Sequence, residues 1–329
     1  MYKFIGSKIA SGLIIIAVLC LYSCKGYRNQ WYFAEAGSLL WVNESHSDES
    51  IKNAVREVLE NSSIIVAQVS WSPTDSVFYQ NTAWYYTLAK NNDKAFMLNI
   101  DWLDNDRSGT RGGWSFENEQ VRQKFKYDIK KLVSNYSPNY LTLGIEVNYY
   151  ALTTPKGYKK FIGTFNELKA SLSEQNPKLK IGLSFQLDLL YGVHSGWEPN
   201  NSLNALNAVV ENLDYIGVSM YPDMQILNKT ASLYSTNFLD SLSFIYKKPI
   251  GISETGISTI KFNDKQRADY ITEIYQKFQD LNLKFIIWGS IIDDPRTKNW
   301  HDKIGLLYSD GTPKPEFKIW KTENLKITK

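Results

Sequence analysis

The sequence contains few of the residues from which disulfides and metal sites are made. It has only two cysteines, Cys20 and Cys24, and three histidines, His46, His194 and His301, which are far apart along the chain. Because Cys20 falls in the N-terminal apolar segment, no cysteine pair remains to form a disulfide in the body of the protein or to build a structural zinc site. The scarcity of histidine argues against a metal-dependent hydrolase, so we expect no metal and no cofactor.

The chain also lacks a strong excess of charge and a glycine-rich phosphate loop. Its net charge is +3, from 37 Lys and Arg against 34 Asp and Glu, and the basic residues are scattered, which argues against nucleic acid as a partner. No G-x-G-x-x-G or Walker-type loop follows an apolar run, and the spacing from Gly109 to Gly113 does not match one. This absence disfavours an open doubly wound sheet, the main structural alternative.

The first 24 residues are predicted to direct export. Lys3 and Lys8 precede an apolar run over residues 9–21, and Ser23-Cys24 follows it. This pattern resembles a bacterial lipoprotein signal, which implies cleavage of residues 1–23, acylation of Cys24 and a short tether over residues 24–30. An ordinary secretory signal or an N-terminal anchor helix are the alternatives, and each of them also places the body of the protein outside the cytoplasm.

Residues 31–325 are predicted to form a single (β/α)8 barrel, a TIM barrel, and we expect a monomer. Short apolar runs rich in β-branched and aromatic residues alternate with stretches of 3.6-residue periodicity, as in parallel strands covered by helices. The candidate strands cover residues 31–37, 64–71, 95–102, 140–147, 179–186, 215–222, 249–255 and 284–289. Helix caps are predicted at Ser47 or Asp48 and at Asn263.

Functional side chains of such a barrel gather at the carboxyl ends of the strands. The predicted strands end in polar and aromatic residues, namely Glu35, Trp71, Asp101, Trp102, Glu146, Gln186, Asp188, Tyr221, Glu254 and Trp288. Ten Trp and 21 Tyr are also more aromatic side chains than a core usually needs, and exposed rings of this kind stack on the faces of sugars. We therefore expect a carbohydrate to bind at this rim.

Glu146 and Glu254 stand out because each follows an apolar strand core, on the fourth and the seventh predicted strands. These strands face one another across a barrel, so both carboxyls can point into one cleft. Such a pair suits retaining glycoside hydrolysis, in which one carboxyl protonates the leaving oxygen and the other attacks the anomeric carbon. For either glutamate alone, a helix-capping or ion-paired carboxylate is the alternative.

At these residues the chain resembles the clan of (β/α)8 glycoside hydrolases that carry an acid/base glutamate after strand four and a nucleophilic glutamate after strand seven. It is most similar to the arabinogalactan endo-β-1,4-galactanases, glycoside hydrolase family 53, over essentially the whole mature chain. The matching segments are Gly144-Ile145-Glu146-Val147-Asn148, Val218-Ser219-Met220-Tyr221-Pro222, Ile252-Ser253-Glu254-Thr255-Gly256 and residues 305–315. The resemblance implies that Glu146 is the acid/base and Glu254 the nucleophile.

Further site residues are predicted, and the chain departs from the clan at one position. We expect Tyr221 to hydrogen-bond Glu254, and the resemblance implies that Trp288 floors the sugar site. Where the clan has an asparagine before the acid/base glutamate, this chain has Ile145, and Asn148 is expected to face the same side as Glu146. The remaining candidates for substrate binding are Trp71, Trp102, Gln186 and Glu35.

The sequence thus predicts an exported retaining glycoside hydrolase that acts on a β-linked polysaccharide or oligosaccharide, with a galactan-like substrate as one candidate. Its second predicted partner is a bacterial membrane, on the periplasmic or the cell-surface side, through the lipid on Cys24. A lipid-anchored barrel that binds glycans without cleaving them is the alternative, and Ile145 is the residue that favours it.

Overall fold

Eight parallel strands form one sheet in the order β1-β8-β7-β6-β5-β4-β3-β2. The computed structural model describes residues 35–195, 202–224, 234–281, 283–296 and 298–327, so the predicted signal, Cys24 and the tether lie outside the described residues. The strands are β1 (Glu35–Ser38), β2 (Ile64–Ser70), β3 (Ala95–Asp101), β4 (Tyr140–Thr142), β5 (Lys180–Gln186), β6 (Tyr215–Met220), β7 (Ile250–Thr255) and β8 (Leu283–Trp288).

The sheet curls into a nearly closed ring. At one edge β1 pairs with β8 in register, from Glu35 opposite Phe285 to Ser38 opposite Trp288. At the other edge the backbone N–H of Ser63, just before β2, donates to the carbonyl of Ala36 at 2.9 Å. The ring confirms the predicted (β/α)8 barrel.

Helices alternate with the strands and cover the outside of the ring. They are α1 (Asp48–Asn61), α2 (Val77–Asn91), α3 (Glu119–Tyr136), α4 (Val147–Thr153), α5 (Pro155–Gln175), α6 (Leu187–Leu190), α7 (Leu203–Asn207), α8 (Tyr234–Tyr246), α9 (Asp264–Asp280) and α10 (Phe317–Ile327). Ser47 caps α1 through its side chain, and Asn263 forms a capping box with Gln266 at α9, as predicted. Within the described ranges, no helix combines the length and the apolar character that crossing a membrane requires.

The interior of the barrel changes from apolar to polar along its axis. Towards the amino-terminal rim the inward side chains form one hydrophobic cluster of Leu39, Ile64, Val66, Met97, Tyr215, Phe285 and Ile287. Gly251 on β7 faces Phe285 so closely that a Cβ there would lie 2.2 Å from the ring. At the next inward positions β2 and β3 carry Gln68, Asn99 and Asp101 instead, so these two strands present polar groups towards the carboxyl rim.

A buried ion pair joins α9 to the segment that precedes α10. Arg267 and Glu316 are 3% and 2% exposed, and Nε of Arg267 lies 2.6 Å from Oε1 of Glu316. Truncating one partner of such a pair leaves an uncompensated buried charge.

We expect Glu316→Ala to lower the free energy of unfolding by about 3 kcal/mol, because Arg267 would then be buried without its main partner. The matched control is Lys265→Ala on the same helix, whose pair with Asp269 is largely exposed and should contribute little. Urea denaturation of both variants measures the difference. Equal, small losses would show that the Arg267–Glu316 pair does not stabilise the fold as described.

Candidate active site

A cavity of about 900 Å³ opens at the carboxyl rim of the barrel, and Glu146 and Glu254 both line it. Its volume is near the upper end of the range for small-molecule sites. Although they lie on the wall of this opening, the two glutamates are only 4% and 2% exposed. The structure therefore brings together, in a nearly dry environment, two carboxyls that are far apart along the chain.

Glu146 follows β4 in a strained backbone conformation. Its φ of 53° and ψ of 39° lie in the left-handed region, and α4 begins at the next residue. The fourth strand is shorter than predicted: it ends at Thr142, and residues 143–146 form an irregular segment that leads into α4. The hydroxyl of Ser219 donates to Oε1 of Glu146 at 2.5 Å, and Nε of Arg107 lies 2.9 Å from Oε2. Strain of this kind concentrates at functional sites.

Glu254 lies near the end of β7 and receives contacts from three other elements. The hydroxyl of Tyr221, which follows β6, donates a short hydrogen bond to Oε1, so the predicted contact between these two residues is present. Nε2 of His301, in the 3₁₀-helix Trp300–Lys303 after β8, lies 3.5 Å from the same oxygen. Nε2 of Gln68 on β2 lies 3.5 Å from Oε2.

These surroundings separate the proton affinities of the two glutamates. Burial raises the pKa of Glu146, and the negative charge of Glu254 adds to this effect, while Arg107 and Ser219 oppose it. Burial acts in the same direction on Glu254, but the contacts from His301 and Tyr221 and the charge of Arg107 outweigh it and hold the pKa of Glu254 below its usual value. The site therefore favours a protonated Glu146 beside an ionised Glu254.

Aromatic rings form one side of the cavity beside Glu254. His301 lies between Trp41 and Trp300, with ring centroids 5.4 and 5.3 Å away. The ring of Tyr221 packs against both Trp300 and His301 at 5.4 and 5.6 Å. Trp84 of α2 also lines the cavity and is 42% exposed. These rings offer the flat apolar surfaces on which sugars stack.

The predicted role of three tryptophans is wrong, because their side chains point away from the cavity. Trp71, Trp102 and Trp288 are at most 1% exposed and lie between the barrel and its helices. Their indole N–H groups donate to Asp128 Oδ2, Leu143 O and Ile304 O respectively. Side chains alternate along a strand, and in β8 Phe285 and Ile287 point inward, so Trp288 must point outward.

Asn148, Gln186 and Glu35 do not line the cavity either. Asn148 lies in α4, where the two-residue period of a strand does not apply. Its side-chain amide donates to the carbonyl of Gln186 and the hydroxyl of Ser202 and accepts from the backbone N–H of Gln186. Gln186 is fully buried and accepts a hydrogen bond from the N–H of Leu189 at the start of α6. Glu35 begins the described strand β1, at the opposite rim of the barrel, so the prediction that it binds substrate beside Glu146 and Glu254 is wrong.

Several residues that line the cavity or contact the two glutamates are not among the predicted site residues, and the sequence gives a signal for only some of them. Gln68 and Ser219 stand at inward positions of otherwise apolar strands, so a search for polar residues at alternate strand positions finds them. Arg107 and Trp41 lie in loops and His301 lies in a four-residue 3₁₀-helix, where no periodicity indicates the direction of a side chain. Among the described residues, no three His, Cys, Asp or Glu side chains are grouped as a metal site requires.

Comparison with known proteins finds the same barrel fold in solved structures of glycoside hydrolases. No protein-family model and no curated protein matches the chain. Solved structures do: a GH5_18 protein from Bifidobacterium longum subsp. longum in complex with Manβ1-4GlcNAc has a TM-score of 0.68 at 12% identity, with 89% of this chain and 78% of that chain covered.

Two further structures are similar over most of the chain. An exo-β-1,4-mannosidase from Opitutaceae bacterium strain TAV5 has a TM-score of 0.68 at 12% identity, with 90% of this chain and 60% of that chain covered. A psychrophilic family 10 endo-β-1,4-xylanase has a TM-score of 0.61 at 12% identity, with 88% and 96% covered. At these identities the likeness establishes the shared barrel fold.

We expect His301→Asn and Tyr221→Phe each to move the acidic limb of the kcat/KM profile to higher pH. Each change removes a group that lowers the pKa of Glu254, so this carboxyl takes up its proton at a higher pH. Trp300→Phe is the control, because it keeps a ring beside His301 and Tyr221 and removes no partner of Glu254. Hydrolysis of a chromogenic glycoside from pH 3 to 9 measures the limb. An acidic limb that stays in place in both variants would contradict this role.

Proposed function

We propose that the protein is a retaining glycoside hydrolase in which Glu146 is the general acid/base and Glu254 the nucleophile. The observation that carries the proposal is the unequal pair: one buried carboxyl with a raised pKa and one with a lowered pKa in the same cavity. Retaining hydrolysis requires this division, because one group must give a proton while the other attacks as an anion.

In the first step a carboxylate oxygen of Glu254 attacks the anomeric carbon, and the bond from that carbon to the leaving oxygen breaks. The proton of Glu146 moves to the leaving oxygen, so the aglycone departs as a neutral alcohol. Tyr221 supports this step because burial and the charge of Glu254 raise its pKa well above its usual value, so that its hydroxyl stays protonated and orients the nucleophile.

In the second step Glu146, now ionised, takes a proton from water as the oxygen of that water attacks the anomeric carbon. The ester bond to Glu254 breaks, and Glu254 returns as a carboxylate. Formation of the ester removes the negative charge of Glu254, which is one of the groups that raise the pKa of Glu146. Glu146 is therefore a stronger acid in the intermediate than in the free protein, as its change of role requires.

The substrate we propose is a β-linked polysaccharide or oligosaccharide. The similar structures include an exo-β-1,4-mannosidase, a complex with Manβ1-4GlcNAc and an endo-β-1,4-xylanase, which favours β-1,4 linkages. The resemblance of four sequence segments to family 53 adds a galactan as a candidate. The row of rings formed by Trp41, Trp300 and His301 suits a chain of sugars lying along the rim.

A glycan-binding barrel without turnover is the second candidate function. Ile145, which stands where the clan has an asparagine, is fully buried and offers no amide to a sugar hydroxyl. Hydrogen bonds to that hydroxyl strengthen in the transition state, so losing them lowers the rate more than the affinity. Binding of a glycan with no product formed would favour this candidate.

We also propose that the protein is exported and anchored to a bacterial membrane through a lipid on Cys24. The support is the basic and apolar N-terminal segment that ends at this cysteine. In a bacterial host, Cys24→Ser should move the protein from the detergent phase to the aqueous phase of a Triton X-114 partition. Wild-type protein found in the aqueous phase would contradict the anchor.

We expect Glu254→Gln to abolish hydrolysis of β-linked glycans and Glu146→Gln to lower it by about 10²- to 10⁴-fold. Both variants should keep the wild-type unfolding curve. Purified protein is assayed against β-1,4-galactan, mannan and xylan oligosaccharides, and the anomer first released is read by ¹H NMR. Azide should rescue Glu254→Gly by forming a glycosyl azide of inverted configuration. Inversion by the wild-type protein, or full activity of Glu254→Gln, would overturn the proposal.

A further inference from the structure

The loop between β3 and α3 places an arginine beside the proposed general acid. Leu103 and Thr110 pair across the base of this loop in an antiparallel bridge, and the N–H of Asp104 donates to the carbonyl of Gly109 at 3.1 Å. At its tip Arg107 has a φ of 62°, in the left-handed region that large side chains avoid. The pinned loop maintains this strained conformation, which directs the guanidinium inward to Glu146.

The Arg107 guanidinium lies between two buried carboxyls. Its Nη1 contacts both oxygens of Asp101 at 2.8 and 3.0 Å, and its Nε contacts Glu146 at 2.9 Å. The side chains of Asp101 and Glu146 are 7% and 5% exposed, so water screens these charges weakly. A second arginine, Arg111, lies 3.6 Å from Asp101.

This arrangement contains an apparent conflict. A general acid must hold its proton before the first step, whereas a permanent positive charge 2.9 Å away favours the ionised form. Burial opposes the arginine, but Asp101 is the group placed to offset the charge itself, since it accepts two hydrogen bonds from the same guanidinium.

We propose that Asp101 is a positioning residue for the general acid. By pairing with Arg107 it limits the positive charge felt at Glu146, so that Arg107 can orient this carboxyl while the carboxyl keeps its proton. The assignment deepens the proposed function and rests on it for the role of Glu146.

The other charged and titratable groups around Glu146 act on it from fixed positions. Glu254 lies across the cavity on β7, Tyr149 lies on α4 and Tyr221 follows β6, and each interacts electrostatically with Glu146. His301 contacts Glu254, and Arg111 contacts Asp101. Arg111 contacts the Asp101–Arg107 pair, and the charge of Arg107 also acts on Glu254, Tyr149 and Tyr221, so the midpoint of Glu254 is followed in the same titration.

The test is a direct titration of Glu146 that does not depend on activity. Protein labelled with ¹³C at the glutamate carboxyls is titrated by NMR, and Glu146→Gln assigns the resonance. Asp101→Asn should move the midpoint of Glu146 to lower pH by about one pH unit or more, because Arg107 then acts without its counter-ion. Arg107→Gln should move the midpoint to higher pH, and the double variant should lie between the two single variants.

Asp106→Asn is the matched control, because it removes the same charge from the exposed tip of the same loop and should leave the midpoint in place. If Asp101→Asn does not fold, the Glu146 midpoints of Arg107→Gln and of the double variant still test whether the two charges act on Glu146 in opposite directions. A Glu146 midpoint unmoved in Arg107→Gln, or raised in Asp101→Asn, overturns the inference.

The kcat/KM profile then separates this inference from the proposed function. If the protein hydrolyses a glycoside, Asp101→Asn should move the basic limb to lower pH by the same amount as the NMR midpoint, and Arg107→Gln should move it upward. If the basic limb of the kcat/KM profile stays in place while the NMR midpoint of Glu146 moves, the role of Asp101 in catalysis is overturned. Wild-type protein that hydrolyses none of the glycans, with midpoints that move as expected, would instead refute the proposed function and leave the Asp101–Arg107–Glu146 coupling standing.

Discussion

Two carboxyl groups buried in one cavity cannot both carry a full negative charge without a large free-energy penalty, and the rim of this barrel is organised around that constraint. Glu254 receives three partners, Tyr221, His301 and Gln68, which stabilise its anion. Burial raises the pKa of Glu146, and Arg107, which contacts this carboxyl, is shared with Asp101. The two glutamates thus differ in proton affinity although they are the same residue type in the same pocket.

The parallel barrel makes this division possible with few residues. Strand β6 and the residue that follows it supply a hydroxyl to each carboxyl, because Ser219 and Tyr221 are two positions apart and point to the same side of the chain. The remaining groups come from the ends of β2 and β3 and from the loops after β3 and β8. Since all parallel strands end at one rim, groups from most of the chain meet there.

Much of this organisation could be predicted from local pattern. The alternation of apolar runs and amphipathic stretches is a short-range property, and six of the eight strands lie within two residues of their predicted bounds. Glu146 and Glu254 were visible because each interrupts an apolar strand near its end. The tryptophans were misplaced because residue type does not reveal direction: Trp71 and Trp102 follow inward residues of their strands and so belong to the layer beneath the helices.

The sequence by itself determined the barrel and the two acids that stand at its carboxyl rim, because strand periodicity and residue identity depend on neighbours along the chain. Only the tertiary structure decided which of the two acids has the higher proton affinity. That distinction depends on burial and on contacts across long separations, such as those from Arg107 to Glu146 and from His301 to Glu254. Electrostatic environment is a property of positions in space, and loops without periodicity bring its decisive charges into place.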